Sequence, residues 1–162
     1  MVIEKRSSSV SDALKTADPL YLHHLERAET FLASARWAAD VDNSGRNGLV
    51  FQNIGYAVEL ALKAFLLWSG WSDDRCRLEV RHDLAIALAA AEQLGLFLGD
   101  QQARALIATL SPFYRRHAVH ELSKSDAKKW SSVNALRAAE HILELVARSV
   151  GPPGESPHPG AC

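Results

Sequence analysis

The sequence predicts an all-α protein, folded as an antiparallel bundle of four to five helices. Apolar residues recur at intervals of three and four along most of the chain, which is the period of one helix face. Residues typical of helix starts and helix ends stand between these stretches. No stretch alternates apolar and polar residues in the manner of a strand. The length of 162 residues predicts one domain.

The first two helices are predicted from their caps and their apolar stripes. Asp18 followed by Pro19 is typical of a helix start, and residues 43–45, of sequence NSG, end that helix. Residues 47–69 are the most apolar part of the chain and form the second helix, which Gly70 ends.

A charged connection, WSDDRCRLEVR, leads to an alanine-rich third helix. Either Asp74 or Asp83 is placed to cap its start, and Gly95 ends it.

The last helices follow Asp100, which is placed to cap a helix that continues towards residue 122. Pro112 lies inside that stretch and should kink or split the helix, because proline lacks the amide hydrogen a helix needs. The final helix extends from about Trp130 to Val150. The chain therefore divides into a polar segment (1–18), a helical bundle (19–150) and a disordered tail rich in proline and glycine (151–162).

The composition excludes several classes of protein. The net charge of −1 gives no overall basic field to attract nucleic acid, so any polyanion must bind a local patch. The two cysteines, Cys76 and Cys162, support neither a disulfide framework nor a zinc knuckle. The sequence shows no secretory core and no continuous apolar run of about 18 residues. We expect a cytoplasmic protein without a membrane segment.

The hexapeptide RRHAVH, from Arg115 to His120, concentrates two kinds of chemistry in a short stretch. Arginine binds phosphate oxygens through a planar fork of donors that stays charged. Histidine, with an ordinary pKa of about 6.5, suits proton transfer near neutrality. Together these groups make phosphodiester chemistry without a metal conceivable.

Two parts of the chain resemble one family, the HEPN domains (higher eukaryote and prokaryote nucleotide-binding). A helix with the pattern Ala-x-Glu-x-x-x-Lys leads into a loop and a helix with the pattern His-x-Leu-x-x-x-Leu. The matching residues are Ala57, Glu59, Lys63, His82, Leu84 and Leu88. The hexapeptide resembles the family's arginine–histidine signature at Arg115 and His120, and Asp126 and Trp130 follow as in some prokaryotic members. The likeness covers about residues 20–148.

The resemblance implies a metal-independent endoribonuclease of a toxin or defence system, without a cofactor. In that reaction His120 would transfer protons and Arg115 would stabilise charge on the scissile phosphate. The resemblance also implies a homodimer that brings two copies of the signature to one cleft, and a partner such as an antitoxin that neutralises the activity.

Neighbouring residues are candidates for supporting roles. On an unbroken helix, Arg116 and His117 would each share a face with His120. Arg116 is then an alternative to Arg115 as the phosphate ligand, and His117 is a candidate for the second imidazole. Glu59 is a candidate for orienting Arg115.

Each supporting role has a simpler alternative. The alternative for Glu59 is one half of an ion pair with Lys63 on a helix face. Three lysines near the hexapeptide are candidates for contacts with the RNA backbone, and the alternative is a solvated loop. These are Lys124, Lys128 and Lys129.

Two other functions stay open. A non-catalytic helical module would bind a protein partner, such as a nucleotidyltransferase, or a nucleotide, and the acidic Glu121 together with the near-neutral net charge favours it. A metal phosphohydrolase is suggested by His82 followed by Asp83, but a helix cap explains that pair better. We expect no metal site, and the alternative for the hexapeptide is the solvated end of a helix.

Overall fold

The structure, a computed structural model, describes residues 19–41, 47–122, 130–153 and 155. These residues are helical with no strand among them, which confirms the predicted all-α bundle. They form five long helices and one short helix, α3 (Asp73–Arg75), which lies between the second and third long helices. The long helices are α1 (Leu20–Val41), α2 (Asn47–Trp68), α4 (Leu84–Gln93), α5 (Gln101–Tyr114) and α6 (Ser132–Ser149). Asp18 and residues 43–45 lie outside the described residues.

Helix α2 forms the centre of the bundle because it packs against α1, α4, α5 and α6. Its predicted apolar face is buried, with Ile54, Val58 and Leu62 fully enclosed and Phe65 nearly so. By length and composition alone, Gly48–Trp68 would suffice to cross a bilayer, and 67% of that apolar window is buried inside the bundle. A helix that is apolar on all sides is expected at such a central position.

Contacts between helix ends show that neighbouring helices are antiparallel. Near the start of α1, the Tyr21 hydroxyl donates to the carbonyl of Gly151, just beyond the end of α6, at 3.3 Å. Farther along α1, the Arg36 guanidinium pairs at 2.8 Å with Glu140, nearer the start of α6. Because the start of one helix meets the end of the other, α1 and α6 run in opposite directions.

The segment before α4 is more ordered than the sequence predicts. The charged connection contains α3 and then a π-helical turn, Cys76–Val80, whose wider backbone rings are frequent near functional sites. Asp83, the second of the two predicted candidates, caps α4. The predicted cap of α5 by Asp100 is confirmed, with the carboxylate accepting from the amide of Ala103 at 2.7 Å.

The hexapeptide does not lie on a continuous helix. Helix α5 passes through Pro112 and ends at Tyr114, directly before Arg115, as the proline predicts. A turn follows, and then a short 3₁₀ helix, Val119–Glu121, carries His120. The helix-face argument for Arg116, His117 and His120 therefore does not apply, because residues three and four apart share a face only on a regular α-helix.

Candidate functional site

The site is built around a buried carboxylate at the middle of α2. Glu59 accepts from Lys63 Nζ at 2.5 Å, from Tyr114 Oη at 2.5 Å and from His82 Nδ1 at 3.1 Å. These donors come from α2 itself, from the end of α5 and from the turn before α4. One carboxylate thus ties three parts of the bundle together, and we call these four side chains the Glu59 cluster.

The pairing of Glu59 with Lys63 confirms the expected contact but changes its character. Their side chains are only 8% and 11% exposed, so the ion pair is buried rather than on a solvated helix face. Buried charges require partners, and removing one partner leaves the other uncompensated. Each buried charge therefore needs the other, because separating them would leave both unpaired inside the protein.

Tyr114 supplies a neutral donor to this cluster. Burial raises the pKa of its phenol far above the ordinary range, and the adjacent Glu59 carboxylate raises it further. The ring fits because Gly55 faces it, where a Cβ atom would lie 2.6 Å from two ring carbons. The glycine is therefore required for the close approach of α5 to α2.

The imidazole of His82 has a defined orientation. Since the Glu59 carboxylate only accepts hydrogen bonds, Nδ1 of His82 carries the proton that joins them. The other ring nitrogen, Nε2, is then left for a partner outside the Glu59 cluster. The His82 side chain is 49% exposed, so one side of the ring meets solvent while the other is anchored.

Asp83 forms a second network next to this one. Its Oδ1 accepts from the amides of Ala85 and Ile86, each at 3.1 Å, and from Ser111 Oγ at 2.8 Å. Arg115 Nη1 lies 3.6 Å from its Oδ2. Burial alone would raise the pKa of the Asp83 carboxyl, but the hydrogen bonds from Ser111, Ile86 and Ala85, with the charge of Arg115, hold it below its ordinary value. The ionised carboxylate therefore caps α4, and the Arg115 guanidinium lies close to it.

An open cleft of about 570 Å³ lies over these networks. We call it the arginine cleft. Its lining consists of Glu79, Val80, Arg81, His82, Asp83, Ile86, Arg115 and Arg116. Three arginine residues and one anchored histidine thus border a single open space, and the Arg115 side chain is 58% exposed there. The Arg116 Nε donates to the carbonyl of Pro112 at 3.0 Å. This set of donors suits an anion with several oxygens, such as a phosphate group.

Strained backbone occurs on both sides of the cleft. Among the described residues, Arg81 and His117 are the only non-glycine positions with positive φ, at 53° and 55°. Such conformations are unfavourable for residues with a Cβ and tend to cluster at functional sites. At His117 the positive φ belongs to the turn that ends α5, where the amide of Ala118 donates to the carbonyl of Phe113 at 2.9 Å. In this turn the His117 ring lies edge-on against His82, with ring centroids 5.2 Å apart.

The structure brings together some of the predicted site residues. Arg115 and Arg116 line the arginine cleft, and His117 lies against it through His82. Glu59 does contribute, but the expectation that it orients Arg115 is wrong, because Glu59 holds His82 while Asp83 lies beside Arg115.

His120 is placed elsewhere. A Cβ on Gly48 would meet the backbone of His120 at 3.7 Å, which puts this residue beside the start of α2. Gly48 precedes Glu59 by about three helical turns, or roughly 16 Å. His120 is exposed and is not part of the cleft lining. Lys124, Lys128 and Lys129 lie outside the described residues, as does Asp126.

The sequence indicates His82 only as part of a helix start, of the family pattern and of a metal phosphohydrolase pair with Asp83, and it does not predict an anchored imidazole at this position. The available signal was Glu59, a carboxylate at the centre of the most apolar helix. A buried carboxylate needs donors from elsewhere in the chain, and a histidine before the following helix is a candidate donor.

Within the part of the chain that the structure describes, no group of three or more histidine, cysteine, aspartate or glutamate residues could hold a metal ion.

Comparison of the chain with protein-family models, with curated proteins and with solved structures found no match.

Proposed function

We propose that this chain is a HEPN-like domain that cleaves RNA without a metal ion, as the toxin or effector of a defence system in the cytoplasm. The observation that carries the proposal is the convergence of Arg81, Arg115 and Arg116 with an anchored histidine on one open cleft. Guanidinium groups bind and stabilise phosphate oxygens, and imidazoles transfer protons near neutral pH. Phosphodiester transesterification needs only these two kinds of group.

In the proposed reaction the 2′-oxygen of a ribose attacks the adjacent phosphorus. A base removes the 2′-hydroxyl proton, the bond from phosphorus to the 5′-oxygen breaks, and an acid protonates that leaving oxygen. The products are a 2′,3′-cyclic phosphate and a 5′-hydroxyl, so no water, metal or redox partner is consumed. Arg115, which lies beside Asp83 at the cleft, stabilises the charge that develops on the phosphate oxygens.

A homodimer is part of this proposal because the resemblance implies it. Two chains would bring two copies of Arg115 and His120 to a shared surface. In that arrangement His120, an exposed residue on the 3₁₀ helix, is the candidate for proton transfer. A protein partner such as an antitoxin would act by covering the same surface.

The test is cleavage of a single-stranded RNA of mixed sequence by the purified chain in excess EDTA. We expect cleavage by the wild type and a loss of about 100-fold in rate for Arg115→Gln, the size of effect seen when one transition-state donor is removed. Arg27→Gln, at an exposed position on α1, is the matched control and should keep the wild-type rate. Absence of cleavage by the wild type, or full activity of Arg115→Gln, would contradict the proposal.

A second candidate function is a non-catalytic module that binds a protein. Exposed apolar side chains at the α1–α2 end favour it: Trp37 and Val41, four residues apart on α1, are 64% and 61% exposed, and Leu49 near the start of α2 is 57% exposed. Large apolar side chains on a surface often mark sites of protein association. If this function is correct, Trp37→Glu should abolish capture of the partner, while Arg115→Gln should retain it.

A further inference from the structure

We infer that His82 and His117 form an acid–base pair within one chain, with Glu59 as the residue that positions His82. This inference rests on the proposed cleavage of RNA and deepens it. It differs from the arrangement implied by the resemblance, in which His120 supplies one imidazole and the same residue of a second chain supplies the other. The acid and the base would then both come from a single protomer.

The first support is the anchoring of His82. A catalytic base is commonly oriented by a third group, and here the Glu59 carboxylate holds Nδ1 from the buried side. Glu59 is itself held by Lys63 and Tyr114, so its carboxylate has little freedom to move. The ring therefore presents Nε2 as the nitrogen available to a substrate at the cleft.

The second support is the position of His117. His117 is not among the residues that line the cleft, but its ring centroid lies 5.2 Å from that of His82, so the two imidazoles adjoin at the edge of the cleft, close enough to serve the two oxygens of one phosphate group. The positive φ of 55° at His117 belongs to the turn that ends α5, in which the amide of Ala118 donates to the carbonyl of Phe113 at 2.9 Å, so the end of the helix sets the backbone position of this residue.

The third support is the charge around the pair. Arg81, Arg115 and Arg116 line the same cleft as His82, and Asp83 lies 3.6 Å from the Arg115 guanidinium. Glu79 is the other carboxylate in the lining, and Arg75 pairs with it at 2.9 Å. A phosphate in this cleft therefore meets guanidinium groups and the anchored imidazole together.

Each step of the reaction then has an assigned atom. Nε2 of His82 accepts the proton from the 2′-hydroxyl as the oxygen bonds to phosphorus. His117 in its protonated form donates a proton to the 5′-oxygen as that bond breaks. The two rings exchange protonation states, and solvent restores them before the next cycle. No atom or electron is unaccounted for.

The experiment measures RNA cleavage in EDTA by the full chain and by His82→Gln, His82→Ala and His117→Gln. Glutamine at position 82 keeps an N–H that can donate to Glu59 but cannot transfer protons, so this variant should fold and lose about 100-fold or more in rate. His117→Gln should lose a similar factor. His23→Gln, at an exposed position on α1, is the control and should keep the wild-type rate.

Two further readouts separate chemistry from structure. Added imidazole should restore part of the activity of His82→Ala, because the cleft is open, and it should not stimulate the control. The ¹⁵N chemical shifts of His82 should show the proton on Nδ1 in the wild type. In the double variant Glu59→Gln with Lys63→Met, which removes both buried charges, part of that proton should move to Nε2.

The outcomes are distinct. Loss of activity in His82→Gln, with imidazole rescue of His82→Ala, supports the inference. If His82→Gln cleaves RNA within threefold of the wild type while Arg115→Gln is inactive, the inference is overturned and the proposed function stands. If the wild type does not cleave RNA, the proposed function itself fails.

Discussion

Replacement of Glu59 by glutamine tests the buried cluster on which the site is built. The substitution keeps the size of the side chain and an oxygen acceptor for Tyr114, but it removes the negative charge. The ammonium group of Lys63, only 11% exposed and 2.5 Å from the carboxylate in the wild type, then has no counter-charge from Glu59. Breaking a buried ion pair from one side lowers the free energy of unfolding by about 3–5 kcal/mol.

For a chain of this size each kcal/mol corresponds to about 2–4 °C in melting temperature, so Glu59→Gln should melt about 6–20 °C lower. Urea denaturation followed by circular dichroism gives the free energy directly. The double variant with Lys63→Met should be more stable than Glu59→Gln alone, since it leaves no buried charge unpaired. This difference would identify the unpaired ammonium as the cause.

An exposed ion pair provides the matched control. Arg36 and Glu140 are 50% and 35% exposed, and exposed pairs contribute at most about 1 kcal/mol. Glu140→Gln should therefore have a small effect. If Glu59→Gln lowers the free energy of unfolding by no more than Glu140→Gln does, the reasoning about the buried cluster is wrong.

Two further substitutions test the elements that shape the site. Gly55→Ala places a Cβ 2.6 Å from ring carbons of Tyr114 and should lower the stability measured in thermal melts by about 1–3 kcal/mol. Gly48→Ala is the control, because the nearest atom to its Cβ lies at 3.7 Å, and it should not lower the stability. Equal effects of the two substitutions would refute the packing argument. Asp83→Ala removes the cap of α4 and should lower the free energy of unfolding by about 1–2 kcal/mol at neutral pH. Because the pKa of Asp83 is lowered in the folded protein, its contribution to the free energy of unfolding is present above the unfolded pKa of about 3.9 and is lost as the pH falls through the folded pKa. The free energies of unfolding of wild type and variant should therefore converge in urea titrations at acid pH. A constant difference down to pH 2 would contradict this.

Much of the fold could be predicted because local signals agree with the final packing. The caps at Asp83 and Asp100, and the apolar stripe of α2, depend on residues within one or two turns of each other. The π-helical turn at Cys76–Val80 could not be predicted in this way. Its backbone is selected by packing against the rest of the bundle, and no local pattern in its sequence specifies it.

The candidate site was only partly predictable for the same reason. Arg115 was recognisable from its chemistry, but its partner Asp83 comes from a different helix start. The hexapeptide does not adopt the continuous helix that the sequence suggests, because α5 ends at Tyr114. The contact between Glu59 and His82 joins residues 23 positions apart in the sequence, and only the packing of α2 beside the start of α4 creates it.

Binding of an uncleavable substrate tests the central claim most directly. A dinucleotide with a 2′-deoxyribose cannot undergo the proposed attack, so its complex with the full chain can be followed by the NMR signals of the histidine rings and the arginine side chains. We predict that the signals of His82, His117 and Arg115 move together with one dissociation constant, while those of His23 stay in place. Shifts confined to residues away from the arginine cleft, or none at millimolar ligand, would show that this cleft is not the site of phosphodiester chemistry.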